Sequence, residues 1–471
     1  MNKLFPIICV VVISSIFASS CTPSQSAIAT GAVQTLTALP TTTPSPTTTP
    51  TNTPQPVPTP TSTATPEAPA TIRVPEDQPT IQAGIDAARD GDTVLVAPGT
   101  YTENLTISRK SVTLASHFYS TGDEQFINNT VINGNGQAVI TVTRTAGPET
   151  MIIGFTIQNG DDGIKARASL QVLNNHFLHN KDGIDYQDSG GLNSGNLYEN
   201  NADDGIDLDG STEAIIENNI IRNNRDEGIE IRLHEYGGPT LNIVIRDNII
   251  AGNREDGIQL IDYPDVSDRV FLIERNLIHG NRMAGLGLMD NAETNEDFRA
   301  ASIPERIYLI NNTIVDNPYG VSGGDNLIAL NNIFLNSTTL ALKNVDAHSI
   351  AAYNLFWNNV ADTEGSNTDP GSTLFTSPAL DATYRLEQDS PAIDAGIAHF
   401  EWNGEIVLDL PPSAFSGSAP DLGAYEANSH EAYTAPFEVL RWQMADMGFI
   451  IPDRSRAVAE DRLRLIGLAV G

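Results

Sequence analysis

The stretches NNHFLHNKDGIDY (residues 174–186), NLYENNADDGIDL (196–208), NNIIRNNRDEGIEI (218–231) and NIIAGNREDGIQL (248–260) follow one plan. Each runs from an Asn through a short apolar segment to a second Asn, an acidic turn and a Gly-Ile pair. NLIHGNRMAGLGL (276–288) and NNTIVDNPYGV (311–321) continue the plan with the turn acids lost. Aligned on Ile164, Ile184, Ile206, Ile229, Ile258, Leu286 and Val321, the units are spaced by 20, 22, 23, 29, 28 and 35 residues. A period in that range is one coil of a solenoid, in which each unit buries its apolar face only against its neighbours.

Within a coil the alternation is that of a strand, with Ile206 and Leu208 inward and Asp207 and Asp209 outward. The expected fold is therefore all-β, a right-handed parallel β-helix over residues 71–426. The leading asparagines Asn175, Asn196, Asn219, Asn248, Asn276 and Asn312 stand nine or ten residues before the Gly-Ile strand. Stacked at one bend, their amides would form a coil-to-coil ladder, a structural role. Insertions at 233–240, 261–268 and 289–305 lengthen the later units and are expected as loops walling one side of the groove that the Gly-Ile strands line.

At the N-terminal side, Ile81, Ile85 and Ala88 share a helical face, and a Gly91-Asp92 turn leads into Val94–Val96. A helix there would cap the open end of the solenoid. The stretch GDTVLVAPGTY (91–101) resembles the N-terminal cap of pectin-lyase-like β-helix proteins. SPALDATYRLEQDSPAIDAG (377–396) and APDLGAYE (419–426) resemble the closing segment of secreted bacterial β-helix proteins. Residues 427–471 read as a short helical tail, either packed over the C-terminal end or loosely docked.

Residues 1–20 carry Lys3, an apolar run from Leu4 to Phe17 and the small residues Ala18, Ser19 and Ser20 before Cys21, the pattern of a secretory signal. The junction resembles a bacterial lipobox that would lipidate Cys21, although Ala18 stands where Leu is usual; the alternative is a plain signal peptide. Cys9 lies inside the removable segment, so no internal disulfide is expected. Residues 21–70 form a Thr/Pro-rich tether unable to bury a core. The expected protein is exported, lipid-anchored to the bacterial cell envelope with its body facing outside, and monomeric.

The formal charge is −33, from 26 basic and 59 acidic side chains. That excess argues against nucleic acid as a partner, and against membrane contact other than through the lipid. An acidic polysaccharide would also be repelled unless a cation lay between.

The acids are concentrated. The position after each aligned isoleucine reads Lys165, Asp185, Asp207, Glu230 and Gln259; two places before it stand Asp162, Asp182, Asp204, Glu227 and Asp256. Turn chemistry explains the second column. It does not explain like charges in register on a strand, which should raise some pKa values or recruit a cation. Clustered carboxylates suit Ca²⁺, which takes six to eight oxygen ligands.

The coils NKDGIDY and NADDGIDLD resemble the calcium site of family 9 polysaccharide lyases. The resemblance implies Asp182, Asp203, Asp204 and Asp207 as Ca²⁺ ligands, a uronate-containing polysaccharide as substrate, and β-elimination by a lysine base. No lysine stands at the matching position, where Glu230 and Gln259 follow. Arg232 and Lys165 are the candidate catalytic cations, with a clamp on a substrate carboxylate as the other role for Arg232 and an Asp185 salt bridge as the other role for Lys165. Arg167, Gln187, Asp209, Glu230 and Gln259 on the same face are the candidate substrate contacts. Two further readings stay open: a non-catalytic carbohydrate-binding or structural surface module, and a glycoside hydrolase using Asp207 and Glu230. The histidines, His234 among them, show no metal spacing and are read as core or surface residues.

Overall fold

Stacked repeats bring equivalent residues together only if every coil keeps one register, and it is kept. In the computed structural model, which describes residues 68–427 except 265–266 and 295–297, three parallel sheets of 12, 11 and 11 strands run the length of the solenoid. The chain is a parallel β-helix. Ile164, Ile184, Ile206, Ile229, Ile258, Leu286 and Val321 are paired in succession along one 11-stranded sheet, as their alignment predicts. All are fully buried. The signal segment, Cys21, most of the tether and the C-terminal tail lie outside the described residues. No helix among the described residues is long and apolar enough to cross a membrane.

The expected asparagine ladder is present and extends to Asn332 and Asn354. Each Oδ1 accepts the backbone N–H of the preceding coil's Asn, from Asn175 N to Asn196 Oδ1 at 2.8 Å through Asn332 N to Asn354 Oδ1 at 2.9 Å. Each Nδ2 also donates to a buried carbonyl, as from Asn196 to Val172 at 2.8 Å. A second ladder was not anticipated: Asn180, Asn201, Asn224, Asn253, Asn281 and Asn317 are linked in the same way. The repeat glycines have an equally steric reason. A Cβ on Gly228 would stand 2.5 Å from the Gly257 carbonyl oxygen of the next coil.

The N-terminal helix is Ile81–Ala87, capped by the Thr80 hydroxyl and by Glu103, whose carboxylate accepts the N–H groups of Ile81 and Gln82 at 3.0 Å. Ile81, Ile85 and Ala88 join the core that Val94 and Val96 begin. Two short helices without a sequence signal, Phe118–Thr121 and Gln125–Asn129, bury Phe118 and Ile127 against Ala115 and Ile153.

Two expectations need correction. The insertion at 233–240 is not wholly a loop: Tyr236–Arg246 is an 11-residue strand paired with Ser267–Glu274, in which Tyr236 and Ser267 of the two insertions pair before a register shift and Leu241 to Arg246 resume the regular coil pairing. The coil stack also ends before residue 426. Its last parallel bridges are Ala351 to Thr368 and Leu355 to Leu374. Residues beyond these fold back along the flank, where the hairpin His399–Trp402 and Glu405–Asp409 buries Val407 and Leu408 with Ile328, Leu330 and Ile350.

Replacing Asn219 by Ala would strand the Asn196 N–H and the Asn193 carbonyl, its partners at 2.8 and 3.0 Å. Urea unfolding should register a loss of about 3 kcal/mol for the two unsatisfied buried groups. A loss below about 0.5 kcal/mol would show that the ladder does not bear on stability.

Candidate functional site

The strand alternation that turns isoleucines inward turns a column of polar side chains outward, and the register pairs Lys165 with Asp185, Asp185 with Asp207, Asp207 with Glu230 and Glu230 with Gln259. Outward does not mean exposed here. Asp185, Asp207 and Glu230 are only 5%, 7% and 4% exposed, and Gln259 is fully buried. Side chains on the coils above and below, together with long cationic side chains, cover them.

The turn column has a structural task. Asp182 Oδ1 accepts the Asp204 N–H at 3.2 Å, and Asp204 Oδ1 accepts the Glu227 N–H at 3.0 Å. One oxygen of each carboxylate thus holds the next coil, leaving the other for a further partner. For Asp182 that partner is Lys181, whose Nζ lies 3.0 Å from Asp182 and 2.7 Å from Asp203.

Oxygen atoms converge in three overlapping groups, each within 4.8 Å: Asp182, Asp203 and Asp204; Asp204, Asp207 and Glu230; Asp185, Asp207 and Asp209. The four expected ligands are therefore divided. Three form one group, and Asp207 joins Asp204 through a second group that includes Glu230.

Burial dominates the electrostatics. It pushes the Asp207 carboxyl up to about 8 against the pull of Arg232, Asp182 up to about 6, and Glu227 up to about 9. Asp204 is raised well above the carboxylate range for the same reason. At Asp203 burial is outweighed by hydrogen bonds with Asp226 and Lys181, and its pKa falls; its hydrogen-bond partner Asp226 rises to about 7.

Both candidate catalytic cations are engaged. Lys165 Nζ sits 2.9 Å from Asp185 and 3.0 Å from Asp162, the salt-bridge role weighed from sequence. Arg232 Nη1 lies 3.1 Å from both oxygens of Asp207 and 3.4 Å from Asp209 Oδ1, while Nη2 pairs with Glu230. Burial works to lower both pKa values, but the facing carboxylates prevail and raise them. Neither cation is poised to lose a proton. Arg167 Nε donates to Gln187 Oε1 at 2.9 Å, and Gln187 Nε2 to Asp185 Oδ2 at 2.8 Å, so two expected substrate contacts instead extend the network. Gln259, another, is buried beneath it. Asp209, Arg232 and Lys165 keep about a quarter of their side chains open and form the accessible rim.

The insertions contribute what residue spacing could not reveal. His234 and Tyr263, one from each of two successive insertions, pack ring on ring at 4.5 Å, with His234 Nε2 3.5 Å from Asp209 Oδ1. Arg269 holds the first insertion by donating to the His234 carbonyl at 3.0 Å and the Gly210 carbonyl at 2.7 Å. The only sequence signal was that both rings follow directly on a Gly-Ile strand.

Residues 116–267 and 168–337 match the family described as right handed beta helix region. Among solved structures, pectate lyase Pel9A superposes with a TM-score of 0.51 at 17% identity, over 74% of this chain and 90% of that one. The A-module of the Azotobacter vinelandii mannuronan C-5 epimerase AlgE4 gives 0.43 at 17% identity, over 63% and 93%. The catalytic unit of a GH87 α-1,3-glucanase from Streptomyces thermodiastaticus gives 0.38 at 18%, over 63% and 65%. At these identities the likeness is one of fold. No curated protein sequence matches the chain.

Asp182 and Asp207 hold protons in the folded chain at pH values where the unfolded chain has released them. Folded protein then binds more protons than unfolded between about pH 4 and about pH 8, so stability falls as pH rises through that window. In chelator, Tm should decline from about pH 5 to about pH 8, and Asp207→Asn should remove part of the decline. A flat or rising Tm contradicts the charge assignment.

Proposed function

We propose that this right-handed parallel β-helix protein binds Ca²⁺ through Asp182, Asp203, Asp204 and Asp207 and acts by β-elimination on a uronate-containing polysaccharide lying across its acidic sheet. One observation carries the reading: carboxylates are stacked in register and buried, outnumbering the cations Lys165, Lys181 and Arg232 paired with them. The donor set fits a hard cation. It is all carboxylate oxygen, converging in two groups that share Asp204, and Asp182 and Asp204 each spend only one oxygen on the backbone. Bound Ca²⁺ would supply a Lewis acid that neutralises a uronate carboxylate and acidifies the neighbouring C–H.

The chain's own residues divide the remaining work. Arg232, at the rim and carrying a fixed charge, would exchange its contacts with Asp207 and Asp209 for a sugar carboxylate. The proton cannot be taken by Arg232 or Lys165, both held charged by their carboxylate partners. His234, against Asp209 and packed at a tilt on Tyr263, offers an imidazole at the same rim and is assigned as the base. A hydrolase is less well supported, because Asp207 and Glu230 share Arg232 and burial raises both, so nothing separates an acid from a base. The engagement of every candidate cation favours a second reading, a non-catalytic module that holds acidic glycan. Export and lipidation at Cys21 would place either activity at the outer face of the cell envelope.

The test is a panel of polyuronates incubated with chelated and Ca²⁺-loaded protein, read by the ultraviolet absorbance of an unsaturated uronate. Product should form only with Ca²⁺, and His234→Ala should lower kcat by about 10²- to 10⁴-fold. Calcium-dependent glycan binding without product from any substrate would establish the second reading instead.

A further inference from the structure

We infer a second cation site, at Asp185, Asp207 and Asp209, for which the Arg232 guanidinium is the chain's own stand-in. It shares Asp207 with the calcium site proposed above and otherwise does not depend on that reading. Asp185 and Asp207 are direct neighbours in the register of the strands Asp182–Gln187 and Ile206–Asp209, and Asp209, two residues on, projects from the same face. Oxygens of all three lie within 4.8 Å of one another.

Acidic residues brought together do not by themselves make a site. The second observation is Asp185 itself, 95% buried, whose carboxylate supplies one oxygen of the group. Its Oδ2 takes Lys165 Nζ and Gln187 Nε2, but its Oδ1 is buried with no hydrogen-bond partner. Within this group the guanidinium reaches both oxygens of Asp207 and one of Asp209 through Nη1 but not Asp185, and its Nη2 is held by Glu230 outside the group. A flat, forked cation thus answers two of the three carboxylates. A compact divalent ion, taking six to eight oxygens without needing donor geometry, can accept Asp185 Oδ1 together with Asp207 and Asp209 and complete its shell with water.

Both cations seek the same oxygens, so they exclude one another. Entry of the ion releases Arg232 from Asp207 and Asp209. The guanidinium, still held by Glu230 through Nη2, then turns Nη1 at the rim to a carboxylate on an arriving chain of acidic sugars. Cation and acidic glycan then bind with positive coupling, each favouring the arrangement that the other needs.

The experiment is calorimetric titration of the full chain with CaCl₂ alone, on wild type and on variants checked for folding by circular dichroism. Wild type should bind two ions. Asp185→Asn and Asp209→Asn should each abolish one and leave the other, and Asp203→Asn should abolish the one that they spare. Asp209→Ser repeats the test at a partly exposed position where folding is under least threat. Arg232→Ala should tighten the Asp185–Asp209 ion by tenfold or more, since the internal competitor is gone. A single ion, lost in Asp203→Asn and untouched by Asp209→Asn, would overturn the inference and leave the proposed calcium site standing. A single ion with the opposite pattern would support the inference and remove that site. Unchanged or weakened binding in Arg232→Ala would overturn the exchange of arginine for metal.

Discussion

Register between coils is the constraint on which everything else rests. Two ladders of buried asparagines tie each coil to the next at fixed positions, each amide oxygen accepting a backbone N–H and each amide nitrogen serving a carbonyl. A slipped coil would strand these groups in an apolar interior. Because the register cannot slip, each residue sits above its equivalent at the strand spacing of about 4.8 Å. A solenoid therefore converts a repeated letter into a column.

Where the repeated letter is acidic, the column stores repulsion. Two carboxylates at strand spacing repel by about 3.5 kcal/mol at an effective dielectric near 20. Burial adds to it, which is why Asp207, Glu227 and Asp204 are driven toward their protonated forms. Lys165, Lys181 and Arg232 relieve the strain in part, each spanning two coils or two columns. Their engagement has a cost for chemistry, since a cation occupied in this way is a poor base. The field that favours a metal ion is thus the same one that disqualifies the nearest cations from proton transfer.

The insertions stand outside the repeat and escape its logic. They extend the sheet through Tyr236–Arg246, fix it through Arg269, and set His234 and Tyr263 on the open side of Asp209. Affinity for charge resides in the regular coils. Chemical variety enters where the regularity is broken.

Fold, coil boundaries, the leading asparagine ladder, the N-terminal cap and the stacking of Asp185, Asp207 and Glu230 were all legible in the amino-acid sequence. They depend on local periodicity and on translation from one coil to the next, and both are written in residue spacing. The second ladder is written there too, as the second Asn of each unit. Three things only the tertiary structure decided: that outward acids are buried, that Arg232 reaches back to Asp207 and Glu230, and that rings from two insertions meet at one rim. These depend on side-chain conformation and on packing between segments of unrelated sequence. A repeat carries no record of either.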